Sequence, residues 1–228
     1  MKNVIVTAIF TLSSTLFATS IQHTGVDAAR GMTVEITTDG TVRNVNAGVG
    51  VLRIDGTTLL DALCANLFQG ITIGETYNAA SIDASAYDLD GSSAAWLIRA
   101  FLPVVNAATG LTKQIDGAAL QLAIWDTIHD GGDGFGNGRI RSTGNTNSSV
   151  LALANQWRLA AIDQDAAANV YTAANGSRAF QQQIYLSACT TGAGNECGGG
   201  GEVPEPGPLA MMAAGAAAVW FGSWRRRS

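Results

Sequence analysis

The stretch from Gly117 to Asp130, GAALQLAIWDTIHD, constrains the fold more than any other part of the chain. Wound as a helix at about 100° per residue, it gathers four apolar side chains into one stripe. These are Leu120, Ile124, Trp125 and Ile128. Gln121 falls inside the same stripe, and an unpaired polar group there costs about 1–3 kcal/mol. The sequence therefore predicts a buried helix in which Gln121 needs a partner.

Strand patterns lie on both sides of the helical part of the chain. Residues 33–37 alternate and end at an Asp-Gly turn, and residues 42–54 run from there to a second Asp-Gly turn. Leu59 to Phe68 is an apolar run with Cys64 in its middle, which predicts a buried strand or a short helix. Residues 71–77 alternate again. Residues 170–172 and 183–186 predict the closing strands.

Two further helices flank the central one. Asp90 to Ser93 predicts the cap of a helix that begins near Ala94 and is kinked or ended by Pro103. Asn147-Ser148 predicts the cap of a helix that reaches about Asp165, and Gly131-Gly132 ends the central helix. Strands, then helices, then strands indicate an α+β fold, a mainly antiparallel β domain with an inserted helical segment.

The first twenty residues predict a secretory signal peptide, residues 1–20. Lys2 precedes an apolar run from Val4 to Phe17, and small residues follow at Ala18 and Ser20. The run is short for a helix that spans a membrane. We therefore expect cleavage near Ala18 to Ser20, with an uncleaved anchor as the alternative.

Composition fits one exported domain, predicted at residues 30–187. The 228 residues carry a formal net charge of −5, and only 14% are charged. The domain has no basic patch, so no nucleic acid partner is expected. Of three cysteines, Cys189 and Cys197 enclose a short loop and form the natural disulfide, which leaves Cys64 unpaired.

The C-terminus contains a Gly-rich linker, residues 188–203, and a three-part tail, residues 204–228. The tail has Pro204-Glu205-Pro206 after Val203, then an apolar stretch from Leu209 to Trp224, then Arg225-Arg226-Arg227. It resembles the PEP-CTERM sorting signal of Gram-negative bacteria. The resemblance implies a transient C-terminal transmembrane helix, cleavage by an exosortase-type protease, and release to the cell surface or exopolysaccharide matrix. An ordinary C-terminal membrane anchor is the alternative.

Cys64 and Gln121 are the residue types that an internal thioester needs. A thiolate attacks the glutamine carbonyl and ammonia leaves, which requires two side chains held in contact and shielded from water. Trp125, one turn after Gln121, could cover the bond. From these residues alone a packed cysteine and a glutamine bonded to backbone are the plainer interpretation.

The domain also resembles the thioester domains of bacterial surface proteins. The resemblance rests on three segments, Leu63 to Gly70 followed by Thr76-Tyr77-Asn78, Ala94 to Leu97, and Ala119 to Trp125 with its Gln-x-Ala-Ile-Trp string. It extends over about Val34 to Leu186. It implies a Cys64–Gln121 cross-link with Asn66, Ala123 and Trp125 around it.

This chain departs from that family at two positions. Asn66 stands where an acidic residue is frequent, and Leu120 stands where many relatives have threonine. Neither change removes a bond-forming atom. Asn66 therefore bears on how the site is held and how fast it reacts.

Other motifs are weaker indications of function. Asp130, Asp133 and Asn137 could offer oxygens to Ca²⁺, but the final bidentate Glu of an EF-hand is missing, so a solvated loop and no metal are predicted. His129 projects to the edge of the stripe or into solvent. His23 is taken as incidental.

Two tryptophans are also assigned to the core. Trp96 and Trp157 fit core positions on helices better than a carbohydrate-binding platform. No sequence motif indicates a cofactor.

Three functions remain open at this stage. The first is a surface or matrix protein whose thioester captures an amine or hydroxyl once, without enzymatic turnover. The second is a structural matrix protein without a live thioester. The third is a Cys–His hydrolase that uses Cys64 and His129.

Overall fold

A computed structural model describes residues 18–87, 90–142, 144–174 and 179–186. Within these ranges lie seven strands and three α-helices. The strands are β1 Thr19–Thr38, β2 Thr41–Ile54, β3 Thr58–Cys64, β4 Thr76–Asp83, β5 Ile140–Arg141, β6 Asn169–Ala173 and β7 Gln183–Tyr185. The helices are α1 Gly91–Ala107, α2 Gly110–Asp130 and α3 Ser148–Ala160. The predicted α+β class is confirmed, and every strand pairing is antiparallel.

Among the described residues, six strands close into a ring. Strand β1 pairs with β2 on one side and with β4 on the other, which gives the cyclic order β1-β2-β3-β7-β6-β4. The register of β1 against β2 shifts between His23 and Val26 and again between Val26 and Gly31. These bulges bend the strand so that its first part belongs to the ring and its second part forms a long hairpin with β2.

The hairpin turn follows directly from its residues. Asp39 and Gly40 have φ values of 47° and 82°, the left-handed pair that a two-residue turn between twisted strands requires. Asp55 and Gly56, at 47° and 75°, make the second predicted turn. Both Asp-Gly predictions are confirmed.

Two buried clusters hold the fold together. The smaller cluster draws on every strand of the ring and comprises Ile21, Leu52, Ala62, Tyr77, Ala79, Tyr171, Phe180 and Tyr185. The larger lies between the helices and the outer face of the sheet. It contains Trp96 and Trp157, which confirms their predicted core positions.

Helix α2 is buried on all sides over its C-terminal two thirds. Every residue from Asp116 to His129 is buried, so the predicted single apolar stripe understates its enclosure. Its close approach to the sheet depends on Gly117, because a Cβ there would overlap the Arg30 carbonyl. Arg30 in turn binds Asp61 of β3 through two contacts of 2.6 and 2.8 Å. These contacts fix α2 against β1 and β3.

The helix caps agree with the sequence predictions more closely than the ends of the helices and strands do. Asp90 accepts from Ser93 N–H, Asn147 accepts from Ser149 N–H, and Gly131 ends α2 with φ 63°. However, α2 begins at Gly110 rather than Gly117, and α1 continues through Pro103.

The ends of α3, β3 and β4 also differ from their predicted positions. Helix α3 stops at Ala160, because the chain turns into a left-handed residue at Asp163, with φ 60°. Strand β3 ends at Cys64, and residues 65–70 form a turn. The strand expected at residues 71–77 starts only at Thr76, because Gly74 takes a φ of 83° and interrupts the extended chain.

The N-terminal part of the described chain belongs to the sheet. Thr19 and Ser20, the last residues of the predicted signal peptide, pair with Ala79 and Asn78 of β4. Residues 21–29, upstream of the predicted domain, continue β1. Cleavage after Ala18 would leave the strand whole, whereas cleavage after Ser20 would remove its first two pairs.

Candidate functional site

Cys64 and Gln121 lie in direct contact although 57 residues separate them. The Cys64 N–H donates to Gln121 Oε1 at 2.9 Å, and Gln121 Nε2 donates to the Cys64 carbonyl at 2.8 Å. The Gln121 side chain, 1% exposed, thus satisfies both of its amide groups on one residue. This pair answers what the buried carboxamide binds.

Cys64 is partly buried in the cavity wall, and its thiol is bonded within the chain. Its Sγ donates to the Asn66 carbonyl at 3.3 Å. Burial raises the pKa of Cys64 to about 12, although the Trp125 indole and the Asn66 backbone each act to lower this pKa. At neutral pH the sulfur is therefore a thiol, and it needs a proton acceptor to attack and a proton donor to leave.

Trp125 offers a free donor beside the sulfur. The side chain is 2% exposed, and its indole Nε1–H has no hydrogen-bond partner. The Trp125 indole acts to lower the pKa of Cys64, as a donor that stabilises negatively charged sulfur does. A buried, unpaired N–H of this kind can stabilise negative charge that develops during acyl transfer.

Asn66 shapes the turn that follows β3. Its Oδ1 accepts from Phe68 N–H at 2.8 Å, a local turn in which the side chain imitates backbone. Aspartate would make the same bond but would add a negative charge near the thiol. Ala123, the other predicted neighbour, lies fully buried in the core.

A cavity of about 340 Å³ opens on the pair. Cys64, Gln121 and Trp125 all line it. Four further residues of the cavity wall carry side-chain amides, namely Asn46, Gln69, Gln181 and Gln183. Among the described residues that line the cavity, Arg43 has a permanent charge and none has a carboxylate.

Two buried residues of this wall were not predicted from the sequence. Gln183 is 1% exposed and pairs with Cys64 across β7 and β3. His23 is 6% exposed, and its Nδ1 has no partner. Three consecutive glutamines before an apolar strand were a usable signal for Gln183. His23 gave no such signal, because the bulges that bend β1 toward the cavity leave no recognisable pattern in the sequence.

His129 is buried, 6% exposed, rather than at an edge or in solvent. The reason is the enclosure of α2, which leaves its last turn covered. Its Nε2 lies 2.9 Å from the Ala65 carbonyl. Because a carbonyl only accepts, this nitrogen carries the proton and donates it. Nε2 is therefore not available as a base for Cys64.

Three carboxylates after Gln121 lie close together, and two of them accept hydrogen bonds from the chain. Asp126, Asp130 and Asp133 have oxygens within 4.8 Å of one another. Asp130 accepts from the Arg139 and Ile140 N–H groups at 3.0 and 2.8 Å. Asp126 accepts from the Gly134 N–H. The cluster anchors the loop after α2.

Asp126 predicts a measurable pH dependence of stability. Burial raises its pKa from 3.8 to about 7, against the lowering effect of Arg158. The folded state therefore holds this proton more tightly than the unfolded state, and the free energy of unfolding falls as pH rises from about 4 to about 7. Asp126→Asn is expected to flatten that decline in urea titrations at several pH values. Asp116, whose pKa is raised to about 6, leaves a residual slope.

Asp163→Asn provides the control for this measurement, since Asp163 is exposed. An unchanged slope in the Asp126 variant would contradict the assignment.

Comparison with known proteins identifies the tail. A family model described as the PEP-CTERM protein-sorting motif matches residues 202–227. No curated protein and no solved structure matches the chain. The C-terminus thus carries a PEP-CTERM sorting motif, which implies export, processing by an exosortase and placement at the cell surface or outside the cell.

Several predictions fall on residues outside the described ranges. These are the signal peptide up to residue 17, the Cys189–Cys197 disulfide, the linker and the C-terminal apolar helix. Among the described helices, none has both the length and the apolar character to cross a membrane.

Proposed function

We propose that the domain forms an internal thioester between Cys64 Sγ and Gln121 Cδ and uses it once, as a covalent adhesive. The mutual hydrogen bonding of Cys64 and Gln121 at 2.9 and 2.8 Å is the observation that carries this proposal. It supports the proposal because it holds the carboxamide against the residue whose sulfur must reach it. Proximity of this kind replaces chemical activation of the amide.

The two side chains supply every atom that formation of the thioester requires. The Cys64 sulfur loses its proton and attacks Gln121 Cδ, the C–N bond breaks, and the proton leaves with the amide nitrogen as ammonia. In capture, a nucleophile attacks the same carbon, the C–S bond breaks, and the sulfur regains a proton. The product is an amide or an ester on Gln121, so the site acts without turnover.

The shielded setting supports the same proposal. Trp125 supplies an unpaired N–H beside the sulfur, and the cavity gives a target access to a site otherwise enclosed by α2 and the ring. Sorting to the surface or matrix, which the tail implies, is consistent with a domain that meets targets outside the cell.

A structural matrix protein without a thioester is the second candidate. One observation favours it: the Gln121 amide groups are fully satisfied by the Cys64 backbone, and the thiol already has a bond to Asn66. Such a site is stable without any covalent link. In this case Cys64 and Gln121 serve packing alone.

Intact mass separates the two candidates. The mature domain is expected to be lighter than its sequence mass by about 17 Da, the mass of the ammonia released when the acyl group transfers to sulfur. Cys64→Ala is expected to show its full sequence mass. Any disulfide should be reduced with a phosphine, because a thiol reductant would open the thioester. A wild-type domain at full mass would contradict the thioester and leave the structural role.

A further inference from the structure

His23 lies in the wall of the same cavity as Cys64 and Gln121. Its ring packs over Gly50, where an added Cβ would come within 2.7 Å of His23 Nε2. Gly50 also lines the cavity, so the absence of a side chain there makes room for the imidazole. The two residues place an imidazole in the wall of the cavity onto which the proposed acyl group opens.

The His23 imidazole is poised to exchange a proton. Its Nδ1 is buried and has no hydrogen-bond partner, so this nitrogen has an unmet need for one. Burial lowers the pKa of His23, so the ring is neutral at pH 7. The other titratable or charged side chains in this wall are Cys64 and Arg43. A neutral imidazole can accept a proton from a nucleophile and return it to sulfur.

The charge of the wall selects against ammonium groups. A lysine side chain is protonated at pH 7, and a site for it needs a carboxylate to offset desolvation. The described residues of the wall include no carboxylate, and Arg43 repels a cation. The side-chain amides of Asn46, Gln69, Gln181 and Gln183 instead offer donors and acceptors that suit uncharged hydroxyls.

We propose that the acceptor of the thioester is an uncharged hydroxyl of the kind that carbohydrate polymers carry, and that His23 takes its proton during attack. This rests on the proposed thioester. The hydroxyl oxygen forms a bond to Gln121 Cδ as its proton passes to His23. The Cδ–S bond then breaks, and the proton passes from His23 to the Cys64 sulfur. An ester and a thiol result, and His23 returns to its neutral form.

The test uses mature protein whose mass deficit has first been confirmed. Glycerol and methylamine, at equal concentration and pH 7, serve as the hydroxyl and amine probes, and each adduct is followed by intact mass. Wild type is expected to form the glycerol ester faster. His23→Gln should lower the glycerol-to-methylamine rate ratio by about 10²-fold, the usual contribution of a general base.

Three further variants sharpen the result. Gly50→Ala displaces the His23 ring without removing it and should also lower the glycerol-to-methylamine rate ratio. It therefore replaces His23→Gln as the test if that variant fails to fold. Arg43→Glu, at an exposed position, should raise the methylamine rate by removing repulsion. Thr24→Val, a neighbour on β1 outside the cavity, is the control that should keep the wild-type ratio.

Two outcomes would overturn the inference. One is a wild-type domain that captures methylamine faster than glycerol. The other is an unchanged ratio in both His23→Gln and Gly50→Ala. Absence of the mass deficit in wild type is a separate failure, because it removes the thioester itself before any acceptor is chosen.

Discussion

Gln121→Ala is expected to lower the free energy of unfolding by about 2–4 kcal/mol and to abolish covalent capture. The variant leaves the Cys64 N–H and carbonyl without their partner in a partly buried setting. It also removes the acyl carbon. Urea unfolding measures the first effect, and the mass after incubation with glycerol or methylamine measures the second.

Two controls separate these effects. Gln114→Ala removes a carboxamide from the exposed part of the same helix. Gln114 Nε2 donates to the Ala28 carbonyl at 2.9 Å, and we expect its loss to lower the free energy of unfolding only slightly. Gln121→Glu keeps the side-chain length, and its carboxyl, held neutral by burial, can accept from the Cys64 N–H and donate to the Cys64 carbonyl, but it is not an acyl donor. We expect Gln121→Glu to lack the mass deficit at a smaller loss of stability. A fully stable Gln121→Ala would show that water replaces the lost bonds.

Gly117→Ala is expected to destabilise the domain by about 1–3 kcal/mol, as overpacking does, despite the gain of about 1 kcal/mol in helix propensity. A Cβ at this position would overlap the Arg30 backbone, which cannot yield easily because Arg30 is bound to Asp61. Helix α2 must move outward and carry Gln121, one turn later, away from Cys64. The thermal midpoint and the fraction of protein with the mass deficit should both fall.

Gly136→Ala is the matched control, because a Cβ there meets nothing within 4 Å. It should leave the midpoint and the mass deficit at wild-type values. An unchanged mass deficit in Gly117→Ala would mean that α2 tolerates the shift without separating the pair.

Local signals in the sequence were sufficient for the turns and caps. Asp39-Gly40 and Gly131 adopt left-handed backbone, and Asp90 caps α1, each through contacts with neighbouring residues. These features depend on few residues close in sequence, so their pattern survives folding unchanged.

The ring could not be predicted because it depends on distant pairings. Its closure requires β1 to pair with two strands at once, and the bulges after His23 set which residues meet. No alternation of apolar residues encodes such a register shift. The start of α2 was missed for a related reason: residues 110–115 mix polar and apolar side chains without a clear stripe and are exposed or partly exposed.

The site was half visible in the sequence. A carboxamide among apolar residues indicated that Gln121 had a partner, and the unpaired Cys64 suggested which one. Contact between the two residues is observed, but through the Cys64 backbone rather than its sulfur. His23 and Gln183 reach the cavity through strand pairing, which only the assembled sheet determines.

The position of β7 has a mechanical consequence. Gln183 pairs with Cys64, and the chain continues from β7 toward the sorting tail. If a captured target pulls on Gln121 while the C-terminal end of the domain is held, the load passes from α2 to β3 and β7 through the hydrogen bond between Gln121 Oε1 and the Cys64 N–H, because capture breaks the C–S bond. Most of the ring then lies outside this short path. The adhesive would transmit tension across neighbouring elements, and the remaining strands would bear little of it.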